Sequence, residues 1–348
     1  MPQIFQYEIP FRLESGQTLS RLRLAYDTWG ELNEAADNVV WVFHALTANS
    51  RVDEWWPGLT GEGKLFDPSR YFIICVNMPG SCYGSSGPLD VNPDTGQVYY
   101  HNFTFFTTRD MIRAYSLLKT ELGIRKIAIG IGGSMGGQQL LEWAVEEPAL
   151  FEYIIPLATN AQHSPWAVAF NASQRLAIET DSTWKEKNGK AGIDGMKTAR
   201  AIALLSYRNY QTYALAQTED NPDKLDRFKS ESYQQYQGEK LAKRFNAFSY
   251  YFLSKSMDAH NIGRNRGGVI PALQKITAQT LVISIRTDIL FPPAEQEFLA
   301  AHIPGAQYRE IHSDFGHDGF LLEFTAIENQ IRAFINPVKN TITEQQLT

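Results

Sequence analysis

The sequence predicts an α/β fold: a mainly parallel sheet flanked by helices, with a helical cap inserted late in the chain. Three observations predict it. Short continuous apolar runs alternate with amphipathic helical stretches, the pattern of strands buried on both faces. One of those runs passes through a glycine-rich turn directly into a helix, with Gly132-x-Ser134-x-Gly136 at the turn. Between residues 165 and 276 the strand-like runs vanish and helix formers take over, until an apolar strand returns at 280.

The chain has 348 residues, more than one hydrophobic core usually organises, so a large domain with an insertion is expected. The boundaries follow from the change of rhythm: residues 1–164 and 277–348 form the core domain, and residues 165–276 form the cap. A hydrophobic content of 43% with 20% charged residues is an ordinary globular balance. The net charge of −6 argues against nucleic acid or an anionic membrane surface as a partner. No apolar run approaches the length of a membrane span. The first residues, MPQIFQYEIPFRLESG, lack the basic start and apolar core of a signal peptide. Cys75 and Cys82 are too few for a disulfide framework, and a cytoplasmic protein is expected. No His, Cys and carboxylate cluster has ligand spacing, so no metal is expected.

Taken in order, residues 4–11 and 21–30 alternate in strand fashion around turn residues at 14–17, which predicts a hairpin or meander. Residues 39–43 (VVWVF) and 71–77 (YFIICVN) read as buried strands, with Cys75 as a small hydrophobe. Residues 107–122 form an amphipathic helix that stops at Gly123. The strand at 127–131 leads into the glycine turn, and a helix follows at 138–145. Further strands are expected at 152–158, 280–285 and 307–311. In the helical stretch, the aromatic run FNAFSYYF reads as packing.

Strand, tight turn and helix with G-x-S-x-G at the turn is the nucleophile-elbow pattern of the α/β-hydrolase fold. The glycines relieve crowding where the chain reverses, and the serine sits near the positive end of the helix. A bare G-x-S-x-G also suits a phosphate-binding turn; the flanking strand and helix favour Ser134 as a nucleophile. A serine nucleophile needs a base and an orienting acid, in the chain order Ser, Asp or Glu, His. Asp288 lies just after the strand TLVISI, and His317 lies beyond the next strand, in HSDFGHDGF. The rivals fit less well. His312 reads as a half-buried histidine at a strand end, Asp314 as a loop cap, and Glu295 as a solvated helix face. His44 and His163 follow the wrong elements. An oxyanion hole is expected from the backbone N–H groups of Met135, after the nucleophile, and Leu46, in the loop after an early strand.

These motifs, with others, carry a family resemblance. HALTANS at 44–50, GSCYGSSGP at 80–88, GGSMGGQQLLEWA at 132–144, AFNASQRLAI at 169–178, the stretch 231–260 and SDFGHDGFL at 313–321 resemble the homoserine O-acetyltransferases of the α/β-hydrolase superfamily. The likeness covers nearly the whole chain, including the cap. It implies a covalent acyl-enzyme on Ser134, with Asp288 and His317 as partners. It implies that Arg200 and Asp318 hold the amino acid and that Tyr207 lies near it. Chemically, a guanidinium matches a carboxylate in bidentate fashion, and a carboxylate beside His317 suits an ammonium. As bare sequence, Arg200 also suits a surface helix charge, and Asp318 a cap on a helix at 319–324. The chain departs from the family's commoner residues at Ala48-Asn49, Met78-Pro79 and Ala203-Leu204, none of them in the triad.

What the resemblance implies is transfer of the acetyl group of acetyl-CoA to L-homoserine, in methionine synthesis, by a homodimer. Acetyl-CoA is then a substrate, and no cofactor is expected. No basic cluster for its phosphates stands out in the sequence. A homoserine O-succinyltransferase, a serine O-acyltransferase and an esterase are the rival functions. Acetyl is expected over succinyl because the segments beside Ser134 offer no cation for a second carboxylate. Arg51, nearest by sequence, reads as facing solvent.

Overall fold

The computed structural model describes residues 2–335. Residues 336–348, the end of the segment expected to complete the core, lie outside the described residues. The chain begins with β1 (Gln3–Tyr7), a small hairpin of β2 (Phe11–Arg12) and β3 (Thr18–Leu19), and β4 (Leu22–Trp29). Next come β5 (Val39–Phe43), α1 (Val52–Trp55), β6 (Phe72–Val76), α2 (Thr108–Glu121), β7 (Ile127–Gly133), α3 (Met135–Glu146) and β8 (Phe151–Leu157). Six helices follow before the next strand: α4 (Pro165–Glu179), α5 (Ile193–Tyr207), α6 (Tyr210–Gln217), α7 (Lys229–Ala242), α8 (Ala247–Asp258) and α9 (Val269–Leu273). The chain then forms β9 (Gln279–Ile285), α10 (Pro293–His302), β10 (Gln307–Ile311), α11 (Gly319–Leu322) and α12 (Phe324–Ile335).

Among the described residues, eight strands form one sheet in the order β1-β4-β6-β5-β7-β8-β9-β10. The first two pairings, β1 with β4 and β4 with β6, are antiparallel, and the rest are parallel. The expected meander therefore exists, with β2 and β3 as an extra hairpin between its arms. The central strands are apolar throughout because alternate side chains serve different layers. From β5, Trp41 packs edge-on against Trp143 of α3 at 4.8 Å, while Val40 and Val42 join Trp56, Ile327 and Ile331 on the other face. Four of the five FNAFSYYF aromatics are core as expected: Phe245, Phe248, Tyr250 and Phe252 are buried, while Tyr251 is half-buried and donates its hydroxyl to Glu179 at 2.7 Å.

Local chemistry sets the element ends. Thr107 caps α2 in a full capping box with Asp110. Asn246 and Ser164 accept hydrogen bonds from the first turns of α8 and α4. The largest departure from expectation is at the elbow. Strand β7 runs on through Gly133, and α3 starts at Met135 rather than 138. Gly136 and Gly137, read as turn, are helical. A Cβ on Gly136 would lie 2.1 Å from the Phe43 carbonyl oxygen, so glycine is what lets the start of α3 press against β5.

Candidate active site

Ser134 is the residue between β7 and α3, and the turn holds it at φ 56°, ψ −128°. That region is unfavourable for a side chain larger than glycine's. Its own hydrogen bonds keep it there: its N–H donates to Leu157 O (3.0 Å), and its C=O accepts from Thr159 Oγ1 (2.7 Å). The side chain is nearly buried.

The structure brings the three residues expected to act together into one hydrogen-bonded line. Ser134 Oγ lies 2.9 Å from His317 Nε2, and His317 Nδ1 lies 2.6 Å from Asp288 Oδ2. The other carboxylate oxygen of Asp288 accepts the N–H groups of Leu290 (2.8 Å) and Phe291 (2.9 Å), so its plane is fixed by its own loop. With the carboxylate taking Nδ1–H, Nε2 is the free acceptor that a general base needs. The imidazole is wedged between Phe291, stacked at 5.1 Å, and Phe320 at 5.2 Å. The loop carrying His317 turns at Gly316 (φ 63°), where a Cβ would meet the Tyr207 carbonyl oxygen at 2.9 Å. The end of α5 thus sits directly on the histidine loop.

The loop after β5 is pinned at both ends. His44 is fully buried; its Nδ1–H donates to Ala45 O (2.9 Å), and its Nε2 accepts the Met78 N–H (3.0 Å). Ser50 bonds Asp27 (2.6 Å) and Asn77 (2.8 Å). Leu46 lies between these anchors and lines the cleft over Ser134. Met135 N–H, the first of α3, points from the helix start. Neither N–H has an acceptor among the described residues.

The cleft encloses about 550 Å³ and includes Ser134, His317, Arg200, Tyr207 and Asp318 in its lining. The Arg200 guanidinium lies 5.3 Å from the Tyr207 ring centre, and that ring lies 5.8 Å from the His317 ring. Asp318 makes no cap bond to α11, a single turn shorter than expected. Its partner is Arg208, whose Nε lies 3.2 Å from Oδ2 but off the line of a hydrogen bond. Burial pushes the Asp318 carboxyl above the usual range, and the Arg208 and Arg200 charges oppose that shift. Burial likewise raises the Tyr207 phenol.

Sequence reasoning missed Arg208. It lies 110 positions from Asp318, and no local pattern joins them. Two rivals of the triad are corrected. Glu295 is not a solvated helix face: it is half-buried and accepts the Asn160 amide at 2.9 Å, and burial raises its carboxyl. His312 is not half-buried but exposed, beside Arg286 at 3.0 Å. Among the described residues, no group of three or more His, Cys, Asp or Glu is placed to hold a metal ion. No helix among them is long and apolar enough to cross a membrane.

Sheet order, elbow and helices define the class, a protein of the α/β hydrolase fold, and residues 38–324 match that family. The chain is 49% identical over 332 residues to the homoserine O-acetyltransferase of Cyclobacterium marinum, a match spanning 95% of this chain and 94% of that protein. This chain belongs to the homoserine O-acetyltransferase family. Its fold is also that of the homoserine O-acetyltransferase of Bacillus anthracis, at TM-score 0.89 and 24% identity over 97% of both chains. An acetylester hydrolase from Corynebacterium glutamicum matches at TM-score 0.84 and 23% identity over 95% of both chains. At those identities the likeness is one of fold alone.

Proposed function

We propose that this protein transfers the acetyl group of acetyl-CoA to the hydroxyl of L-homoserine through an acyl-enzyme on Ser134. The observation that carries the proposal is the pairing of a Ser134–His317–Asp288 hydrogen-bonded line with Arg200 and Asp318 on the wall of the same cleft. The first provides acyl transfer chemistry, and the second provides opposite charges for a zwitterion with a free hydroxyl.

In the first half-reaction, His317 Nε2 takes the Ser134 proton as Oγ attacks the thioester carbonyl. The Leu46 and Met135 N–H groups stabilise the tetrahedral oxyanion. The C–S bond breaks, and the departing thiolate takes the proton from His317. In the second, the homoserine hydroxyl gives its proton to His317 and attacks the acyl-serine carbonyl. The Ser134 oxygen leaves and recovers that proton. Asp288 orients the imidazole and stabilises its cation throughout.

Acetyl is favoured over succinyl because the one half-buried cation of the cleft lining, Arg200, is assigned to the acceptor's carboxylate; Lys240 and Arg244 are exposed, and Arg51 lies outside the lining, tied to Asp53 at 2.7 Å. Acetyl-CoA serves as a substrate in this scheme, with no resident cofactor, and the product feeds methionine synthesis. We assign residues 165–276 as a cap over the core, supported by the contacts of Arg200 and Tyr207 with the cleft. A homodimer is supported by the exposed apolar side chains Leu205, Tyr210, Leu215 and Tyr236 on α5 to α7, and sedimentation would test it. A cytoplasmic setting without nucleic-acid or membrane partners is supported by two unpaired cysteines and the net charge of −6.

The test measures thiol release from acetyl-CoA with and without homoserine. Transfer predicts release that homoserine accelerates, O-acetylhomoserine as product, and parallel double-reciprocal lines. Equal release in both conditions would make the protein a hydrolase. Intersecting lines would replace the acyl-enzyme with direct transfer.

A further inference from the structure

The cleft over Ser134 carries more positive charge than an amino-acid acceptor uses. Arg200, Lys240 and Arg244 all line it, and among the described residues none of the three is within ion-pair distance of a carboxylate. Neighbouring cations differ: Lys197 is tied to Glu239, Arg208 to Asp318 and Arg51 to Asp53. The carboxylates of the lining are Asp318, already engaged with Arg208, and Glu54. This local excess runs against the net charge of the chain, −6. Uncompensated like charges around one cleft repel one another, and an anionic ligand relieves that cost.

The three cations sit at two depths. Arg200 is half-buried over the Tyr207 ring, beside the reacting groups. Lys240 and Arg244 are exposed; Lys240 is in the last turn of α7, and Arg244 follows four residues later, just past the helix end. Lys243 between them keeps a helical backbone (φ −70°, ψ −20°), so both point to one side, roughly 5–6 Å apart at Cβ. Arg244 Nη1 donates to the Thr47 carbonyl and to Tyr83 Oη (2.6 Å), which fixes the guanidinium plane at the cleft. Its Nε and Nη2, and Lys240 Nζ, have no partner among the described residues.

We infer that Lys240 and Arg244 form a subsite for the phosphate-bearing end of the thioester donor. This rests on the acyl-transfer function proposed above. A held guanidinium fork beside a mobile ammonium suits adjacent phosphate groups. Their place on the exposed side of the cleft leaves the interior to the neutral thioester arm, while Arg200 remains for the acceptor's carboxylate.

The experiment compares two donors that share a thioester and differ in phosphate: acetyl-CoA and S-acetyl-pantetheine. Thiol release is followed with and without homoserine for the wild type, Lys240→Glu and, as a charge control, Lys243→Glu, an exposed lysine outside the cleft lining. Lys240→Glu is expected to lower kcat/KM for acetyl-CoA by about tenfold or more relative to S-acetyl-pantetheine, and Lys243→Glu to leave that ratio alone. Arg244→Gln should lower the same ratio and also slow both donors, because Nη1 holds the Thr47 carbonyl in the oxyanion loop. An unchanged ratio in Lys240→Glu, or an equal shift in Lys243→Glu, overturns the subsite. If homoserine fails to speed thiol release, transfer falls, and the donor ratio in its absence still decides the subsite. If neither thioester is used, both proposals fall.

Discussion

Ser134 occupies a backbone region that costs on the order of 1–3 kcal/mol for a non-glycine residue. The surrounding hydrogen bonds hold it there, so the oxygen can be removed without removing the turn. Ser134→Ala is therefore expected to fold normally and to lose acyl transfer by about three orders of magnitude or more. Mass spectrometry after mixing with acetyl-CoA should show an acetyl adduct on Ser134 in the wild type and none in the variant; an adduct elsewhere removes the covalent mechanism. Arg200→Ala should spare that adduct and slow its discharge to homoserine. Impaired acylation alone would reassign Arg200 to the donor. Arg208 makes a subtler prediction. Burial raises the Asp318 carboxyl, and the Arg208 charge holds it down. The ionised form binds an ammonium, so homoserine affinity is lost as pH falls through the Asp318 pKa. Without Arg208 that pKa rises further, and the loss begins at higher pH. In Arg208→Gln, the acid limb of the homoserine KM profile should move upward in pH; an unmoved limb would sink the assignment.

At the scale of elements, what was legible was local. Strand β5 begins and ends where its apolar run does, β10 spans the residues expected of it, and Thr107 announces the start of α2. The Ser, Asp, His line was legible because each residue follows its own strand. The start of α3 was not, because Gly136 and Gly137 read as turn until β5 is seen beside them. That contact gives a prediction of its own. In Gly136→Ala the new Cβ would sit 2.1 Å from the Phe43 carbonyl oxygen, a backbone atom that cannot swing aside. Either α3 or β5 must shift, at a cost on the order of 1–3 kcal/mol. Since α3 carries the Met135 N–H and β5 leads to Leu46, activity should fall with stability. A lowered urea midpoint with reduced kcat is expected; full activity with an unchanged midpoint would mean that the elbow tolerates a methyl group there.

At the scale of the whole molecule, the charges on the cleft wall were illegible because they meet only in the fold. Arg244 and Thr47 stand 197 positions apart. The same holds for three buried histidines that tie distant elements together. His44 joins the end of β5 to the loop after β6. His163 packs between the Gln138 and Asn171 amides, at 3.1 Å from each, linking α3 to α4. His260 donates from Nε2 to Asn160 O (3.1 Å), and its Nδ1 accepts from Thr108 Oγ1 (2.9 Å), linking the end of α8 to α2. Burial holds all three below the ordinary value of 6.5: His44 to about 4, His163 to about 4 and His260 to about 3. The unfolded chain takes up these protons as pH falls below 6.5, and the folded one resists until about 4 or lower. Stability from this source is fully present above pH 6.5 and is lost as pH falls through that window. Each histidine contributes a slope of about 1.4 kcal/mol per pH unit. The carboxyls of Asp110, Asp258, Glu295 and Asp318, raised by burial, bind protons earlier in the folded state and offset part of the loss. The difference between variants isolates the histidine effect. His260→Gln keeps an amide N–H for Asn160 O and removes one titrating group. Urea unfolding from pH 5 to 7.5 should show stability declining toward acid in the wild type, with a slope flatter by about 1.4 kcal/mol per pH unit in the variant below about pH 6 and no difference in slope above about pH 7. Equal slopes would mean that His260 titrates in the folded protein as it does in the unfolded chain, and that the seam between α8 and α2 opens to water.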